Sequence, residues 1–270
     1  MQNYSKKIYI DVHAHLDHQK YFGDLDKVVT NCRKNNVIVI SAGVNKDSNR
    51  KVLEISQKYN DTIKAALGMF PFDALGNSRD TSYSGTIPTK FDVDEELEFI
   101  KKNKDKIIAI SEVGLDKSIP DHHIEKQKEI FFKIISLSEQ IRKPLIVHSR
   151  EAELECVEAL ESCNHKNIVM HMFSGNFKLV KRITDNEWNF SIPVKIDRLQ
   201  HFQSIAQQVS INKLLTETDS PWAPPKNIER NEPMYIIDII KKISEIKNLN
   251  EIDVQKNIFK NFKKLFLKNE

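Results

Sequence analysis

Five segments of this chain set metal-binding side chains at the ends of apolar, strand-like runs: Asp11-Val-His-Ala-His15, Ile110-Ser-Glu-Val-Gly-Leu-Asp116, Leu145-Ile-Val-His-Ser-Arg150, Ile168-Val-Met-His171 and Leu214-Leu-Thr-Glu-Thr-Asp219. His13 and His15 are two apart, so on a strand their side chains leave the same face and can grip one cation. Glu112 follows small and apolar residues and precedes Val-Gly, which suits a carboxylate that bridges two cations. His148 and His171 each end an apolar strand, where one histidine alone reads as a hydrogen-bonded core residue and two at equivalent positions read as ligands. Asp219 can ligate a cation and accept a proton from bound water; a helix N-cap is the plainer role for it, since Ser220-Pro221 follows. Two divalent cations held by neutral imidazoles, Glu112 and Asp219 leave a net positive centre that would draw an anionic ester. The nitrogen and oxygen donors suit hard or borderline metals.

Ligands so far apart in sequence meet when the strands that carry them form a (β/α)8 TIM barrel, whose active sites lie at the C-terminal ends of the strands. The periodicity supports eight β-α units, with strands expected near residues 8–11, 37–42, 63–68, 107–112, 145–148, 168–171, 188–192 and 214–218. Helical patterns run over 25–35, 94–103, 125–142, 151–162 and 199–209, and two additional C-terminal helices over 234–246 and 252–266. Residues 77–89 read as a surface loop. The run Ser220-Pro-Trp-Ala-Pro-Pro225 stops regular structure beside the expected site, where Trp222 could wall the pocket against a base or sugar.

A length of 270 residues suits one such barrel, so residues 1–270 are expected to form a single domain. The formal charge of +3, from 41 basic and 38 acidic residues, is too small to mark a dedicated nucleic-acid-binding protein, so any nucleic acid must be handled at a local site. Three cysteines without zinc-finger spacing, the lack of a secretory signal pattern and the lack of any bilayer-length apolar run lead us to expect a cytoplasmic protein without a membrane partner. Cys156 and Cys163, seven apart on an expected helix, read as ordinary thiols rather than a redox pair. His18, His122, His123, His165 and His201 fall in expected loops or on helix edges and are expected to be exposed. No obligate protein partner is evident.

The ordered motifs His13-Ala-His-Leu-Asp17, Glu112-Val-Gly-Leu-Asp116, Gln127 ahead of His148-Ser-Arg150, His171-Met-Phe-Ser-Gly175, Glu217-Thr-Asp-Ser-Pro221 and Arg230-Asn-Glu-Pro233 resemble the TatD family of metal-dependent deoxyribonucleases, within the amidohydrolase-like barrels. The resemblance covers nearly the whole chain. It implies exonucleolytic trimming of DNA, single-stranded or at ends, by a metal-bound hydroxide. Two divalent ions (Zn, Mg or Mn) would be held by His13, His15, Glu112, His148, His171 and Asp219, with Glu112 bridging and with Asp219 and Glu112 catalytic. Arg150 and Arg230 would offer guanidinium forks to phosphate or, more plainly, form surface salt bridges. One departure stands out: the family's usual Gly-x-His-Pro reads Gly68-Met-Phe-Pro71 here, so Phe70 replaces an imidazole. Phe70 is expected to pack in the core, with stacking on a nucleobase as the alternative. A smaller departure, Lys117, would add a phosphate contact or be solvated. Two other functions fit the same metals: hydrolysis of a small ester, lactone or amide, and a non-catalytic metal-binding role.

Overall fold

Ile- and Val-rich runs favour extended backbone because their branched Cβ packs well on a pleated surface. Runs buried on both faces, rather than alternating, belong to parallel sheets covered by helices. All four residues of the strand Leu145–His148 are buried in this way. The computed structural model describes residues 7–76, 91–118, 121–163 and 165–267. Its eight strands are β1 (Tyr9–Ala14), β2 (Val37–Ala42), β3 (Ile63–Leu67), β4 (Ile107–Gly114), β5 (Leu145–His148), β6 (Ile168–Met170), β7 (Asn189–Ile192) and β8 (Leu214–Thr216). They pair in parallel, in sequence order.

The ring closes between β1 and the segment just after β8. Ala14 bridges Ser220 in the parallel sense, the His15 amide donates to the Ser220 carbonyl at 2.7 Å, and the Asp219 amide donates to the His13 carbonyl at 2.9 Å. Deeper in the barrel the Thr216 hydroxyl donates to the Ile10 carbonyl at 2.6 Å and the Thr218 amide to Asp11 at 3.0 Å. Closure is therefore made by the backbone of three of the expected ligands, His13, His15 and Asp219, and their neighbours. This is the (β/α)8 barrel expected from the sequence.

The helices are α1 (Leu25–Asn35), α2 (Lys46–Lys58), α3 (Pro71–Ala74), α4 (Val93–Lys102), α5 (Ile124–Ile141), α6 (Glu153–Glu161), α7 (Phe177–Asp185), α8 (Gln200–Gln208), α9 (Ile236–Lys247) and α10 (Glu251–Phe266). Polar caps start several of them: the side chains of Asn45, Asp92, Asn176 and Asn250 accept from first-turn amides and satisfy donors the helix leaves open. Their buried faces join the strands in a core that includes Ile10, Ile110, Phe131, Ile146, Trp188 and Phe262. No helix among the described residues is long and apolar enough to cross a membrane.

Three local departures bear on the site. β1 and β4 each run two or three residues further than the pattern suggested, so His13 and Glu112 lie inside their strands. Both strands shift register there, β1 between Asp11 and Ala14 and β4 between Ile110 and Val113. β8 ends at Thr216, earlier than expected, and the chain enters a left-handed turn at Asp219 with φ of 57°. The expected loop over 77–89 lies outside the described residues.

Candidate metal centre

Glu112 reaches the barrel mouth because β4 crosses β3 with almost no clearance. A side chain at Gly68 would place its Cβ 2.4 Å from the Ser111 carbonyl carbon and 2.5 Å from the Glu112 amide nitrogen. Asn49 clamps that glycine, accepting from its amide at 3.0 Å and donating to its carbonyl at 2.9 Å. Two residues beyond Glu112, Gly114 adopts φ of 141°, where a Cβ would lie 1.9 Å from the His148 carbonyl oxygen. This conformation, costly for any other residue, turns the chain so that Asp116 comes to lie beside His148.

The Glu112 carboxylate is the hub of the cluster. Its Oε2 lies 3.3 Å from His15 Nε2 and 3.5 Å from His13 Nε2, while its Oε1 lies 2.8 Å from His148 Nδ1 and 3.8 Å from His171 Nε2. Each oxygen thus faces a different pair of imidazoles. Asp219 Oδ1 closes the first group at 3.4 Å from His15 Nε2 and 3.7 Å from His13 Nε2. His13 Nε2 and His15 Nε2 are themselves 3.2 Å apart, and His13 also stacks on His171 with ring centroids 4.0 Å apart. Donor atoms of His13, His15 and Asp219, and of His13, Glu112 and His171, lie close enough together for each trio to share an ion. Glu112 Oε2 is buried and lacks a hydrogen-bond partner. A buried carboxylate oxygen left open among imidazole nitrogens suits a bound cation.

Every imidazole in the cluster has its other nitrogen engaged. His15 Nδ1 lies 3.1 Å from the Ala42 carbonyl, His13 Nδ1 3.2 Å from Ser111 Oγ, His171 Nδ1 2.6 Å from Glu217 Oε2, and His148 Nε2 2.7 Å from Asp116 Oδ2. Each contact can fix the tautomer and leave one lone pair directed at the centre. Glu217 and Asp116 are held in turn. Glu217 accepts from Ser191 Oγ at 2.6 Å and from the Met172 amide at 2.8 Å. Gln127 accepts from the Asp116 amide and donates to its carbonyl, both at 2.7 Å.

Burial by itself would raise the Glu112 carboxyl, but the imidazoles of His13, His148 and His15 that face it override this and hold the group well below the usual carboxylate range. Burial likewise opposes ionisation of Asp219, and the hydrogen bond from His15 with the His171 charge lowers it regardless. For His148, burial disfavours the imidazolium, yet Asp116 and Glu112 raise it to about 9. Both carboxylates are therefore ionised at neutral pH, the form in which a carboxylate ligates.

A cleft of about 720 Å³ opens over this cluster, lined by His148, His171, Asp219, Arg150, Lys195 and Trp222 among others. Asp219 is the more open of the two carboxylates, its side chain 13% exposed against 1% for Glu112. Arg150 and Trp222 line the cleft. Arg230 does not: its guanidinium pairs with both Asp24 oxygens, at 2.8 and 2.7 Å, and with Glu232 at 2.7 Å. It anchors the segment after β8 to the start of α1, the plainer of the roles considered for it. The neighbouring Asn231 donates to the carbonyls of Thr218 and Trp222, both at 2.7 Å, and pins the turn that carries Asp219.

Phe70 is 1% exposed and packs edge-on against His148, with centroids 5.0 Å apart, so it supports that ring from below rather than meeting a base. Lys117 pairs with Glu155. Cys156 is a free, buried thiol directed at the His148 carbonyl, which agrees with an ordinary packing role. Two histidines expected to be exposed are buried: His18 beside the Trp222 ring, and His165 against Ser138. His201, on the cleft wall, was also passed over, and only the fold brings it there.

The chain as a whole resembles known proteins in sequence and in fold. A family profile described as TatD related DNase matches residues 10–267. An uncharacterized metal-dependent hydrolase of Methanocaldococcus jannaschii is 29% identical over 258 residues, 96% of each chain. The Homo sapiens deoxyribonuclease TATDN3 is 29% identical over 264 residues, 96% of this chain and 94% of the relative. In fold, the chain matches the crystal structure of YJJV, a TatD homolog from Escherichia coli, with a TM-score of 0.85 at 22% identity, over 97% of this chain and 99% of the other.

Proposed function

We propose that this chain, which belongs to the family of TatD-related DNases, hydrolyses phosphodiester bonds in DNA, releasing nucleotides from single-stranded DNA or from duplex ends. The observation that carries the reading is the division of Glu112, with one carboxylate oxygen toward His13 and His15 and the other toward His148 and His171. A bridging carboxylate needs that geometry. His13, His15, Asp219 and Glu112 Oε2 would hold one divalent cation, and His148, His171 and Glu112 Oε1 a second, with zinc, magnesium and manganese all compatible with the donors. Cations bound there would supply Lewis acidity and lower the pKa of water near the cleft.

The chain's own residues supply the rest. The Asp219 carboxylate, ionised and at the edge of the cleft, would take the proton of an attacking water. Asp116 and Glu217 hold His148 and His171 rigidly, so the charge that develops meets a preorganised surface. Arg150, exposed at the cleft wall, offers a guanidinium to phosphate, and Trp222 offers an apolar face to a base or sugar.

The experiment is to strip the protein of metal, resupply magnesium, manganese or zinc separately, and follow nucleotide release from end-labelled single-stranded DNA with His148→Ala as control. Release that depends on metal and falls at least about a hundredfold in the control is expected, since the change removes a ligand and leaves Asp116 without its partner. Absence of release with every metal, in protein shown to bind cations, would turn the search to small esters and amides.

A further inference from the structure

Lys195 occupies an unusual electrostatic position. It lies in the short turn Val194–Asp197 that follows β7, at the strand end that faces the cleft. Its side chain is half-buried and lines the cleft together with Arg150, His148, His171 and Asp219. The contact made by its ammonium is with Met172 Sδ at 3.7 Å, and thioether sulfur is a weak acceptor. Other cations around this end of the barrel are matched with carboxylates: Lys117 with Glu155, Arg198 with Asp197 and Arg230 with Asp24. Among the described residues, no carboxylate pairs with Lys195 or with Arg150.

A half-buried ammonium whose side-chain contact is a sulfur has no full counter-charge, so it is available to an anion that enters the cleft. The carboxylates nearest the cleft floor cannot serve. Glu112, Asp116, Glu217 and Asp219 each face imidazoles. Barrel enzymes commonly bind phosphate in the loops after strands seven and eight, the place Lys195 holds. The same cleft also carries the apolar side chains of Leu199, Phe202 and Trp222, Leu199 on the turn that Lys195 itself closes, its amide donating to the Lys195 carbonyl at 2.9 Å. A cation beside apolar surface in one cleft matches a nucleotide, phosphate toward the lysine and base or sugar toward the apolar side chains.

We infer that Lys195 binds a second phosphate of the substrate, outside the metal centre, and so selects chains of at least two phosphates over isolated diesters. The inference rests on the phosphodiesterase reading above and adds to it a residue that sets substrate length. Lys195 acts in binding: the bond that breaks is at the centre formed by the histidines, Glu112 and Asp219.

The test compares wild type, Lys195→Met and Lys195→Arg on two substrates, a single-stranded oligodeoxynucleotide and bis(p-nitrophenyl) phosphate, which has a single phosphate. Lys195→Met should raise KM for the oligonucleotide about tenfold or more, leave kcat within about threefold, and leave kcat/KM on the small diester within about twofold, with Lys195→Arg restoring most of the oligonucleotide KM. A second readout needs no turnover: affinity for a fluorescent phosphorothioate oligonucleotide that resists hydrolysis should drop in parallel, and the slope of its salt dependence should shrink by roughly one ion or slightly less. Unchanged oligonucleotide binding and KM in Lys195→Met, or equal losses on both substrates, would overturn the inference. The two readings fail separately: wild-type protein that cleaves no DNA contradicts the nuclease reading, whereas a Lys195→Met protein that binds and cleaves like wild type contradicts only the role given to Lys195.

Discussion

Each imidazole in the cluster has one nitrogen to give, because the other already holds a carbonyl, a hydroxyl or a carboxylate. Glu217 shows the consequence most directly, since its two oxygens together receive His171 Nδ1, Ser191 Oγ and the Met172 amide. Glu217→Gln keeps the shape but removes the charge, and in either orientation its NH2 faces donors, the Met172 amide on one side or His171 and Ser191 on the other. We expect metal affinity or turnover to fall by roughly 10–100-fold, as for other residues that orient metal ligands. Metal titration with a competing chelator reads this directly, and an unchanged affinity would show that Glu217 does not position His171. The six residues at the centre were legible in sequence because each closes an apolar run, a signal carried by the chain itself. The supporting contacts were not, because His148–Asp116 and His171–Glu217 join residues 32 and 46 positions apart. For Arg230 the salt bridge was the plainer expectation, but its partner could not be read from sequence, because Asp24 is 206 positions away.

At the scale of elements, the close crossing of β3 and β4 decides where Glu112 points. Gly68→Ala would drive a methyl group into backbone atoms of Ser111 and Glu112, which cannot swing aside as a flexible side chain can. The strands must separate, at a cost of about 1–3 kcal/mol in stability. Metal binding should weaken more than that stability loss alone explains, because Glu112 moves with its strand. Denaturant melts and metal titration on the same preparation check both effects, and a variant with wild-type values for each would mean the contact is relieved elsewhere. Strand cores such as Val37–Ala42 and Leu145–His148, and the helix Leu25–Asn35, follow the bounds expected from apolar periodicity. The strand ends at the site do not. β1 and β4 extend through register shifts and β8 gives way early to a left-handed turn, features set by contacts with neighbouring strands. α3, four residues behind Pro71, is too short to carry a helical period.

Across the whole molecule, the barrel gathers ligands from five strand ends, numbered from 13 to 219, and closes through the backbone around His13, His15 and Asp219. Folding and metal binding are therefore linked, since no short segment of the chain contains the site and a cation that binds only the closed barrel stabilises it. The eight-unit barrel was readable because alternating strand and helix patterns leave few other topologies. The paired or unpaired state of each cation at its mouth was not, as Lys195 and Arg230 illustrate. The central claim is that Glu112 joins two cations, and the most direct measurement is the metal content per chain, by atomic emission, of reconstituted wild type and Glu112→Gln. The account predicts two divalent ions per wild-type chain and a loss of both, to well below one per chain, in the variant. One ion in wild type, or two retained by Glu112→Gln, would contradict it.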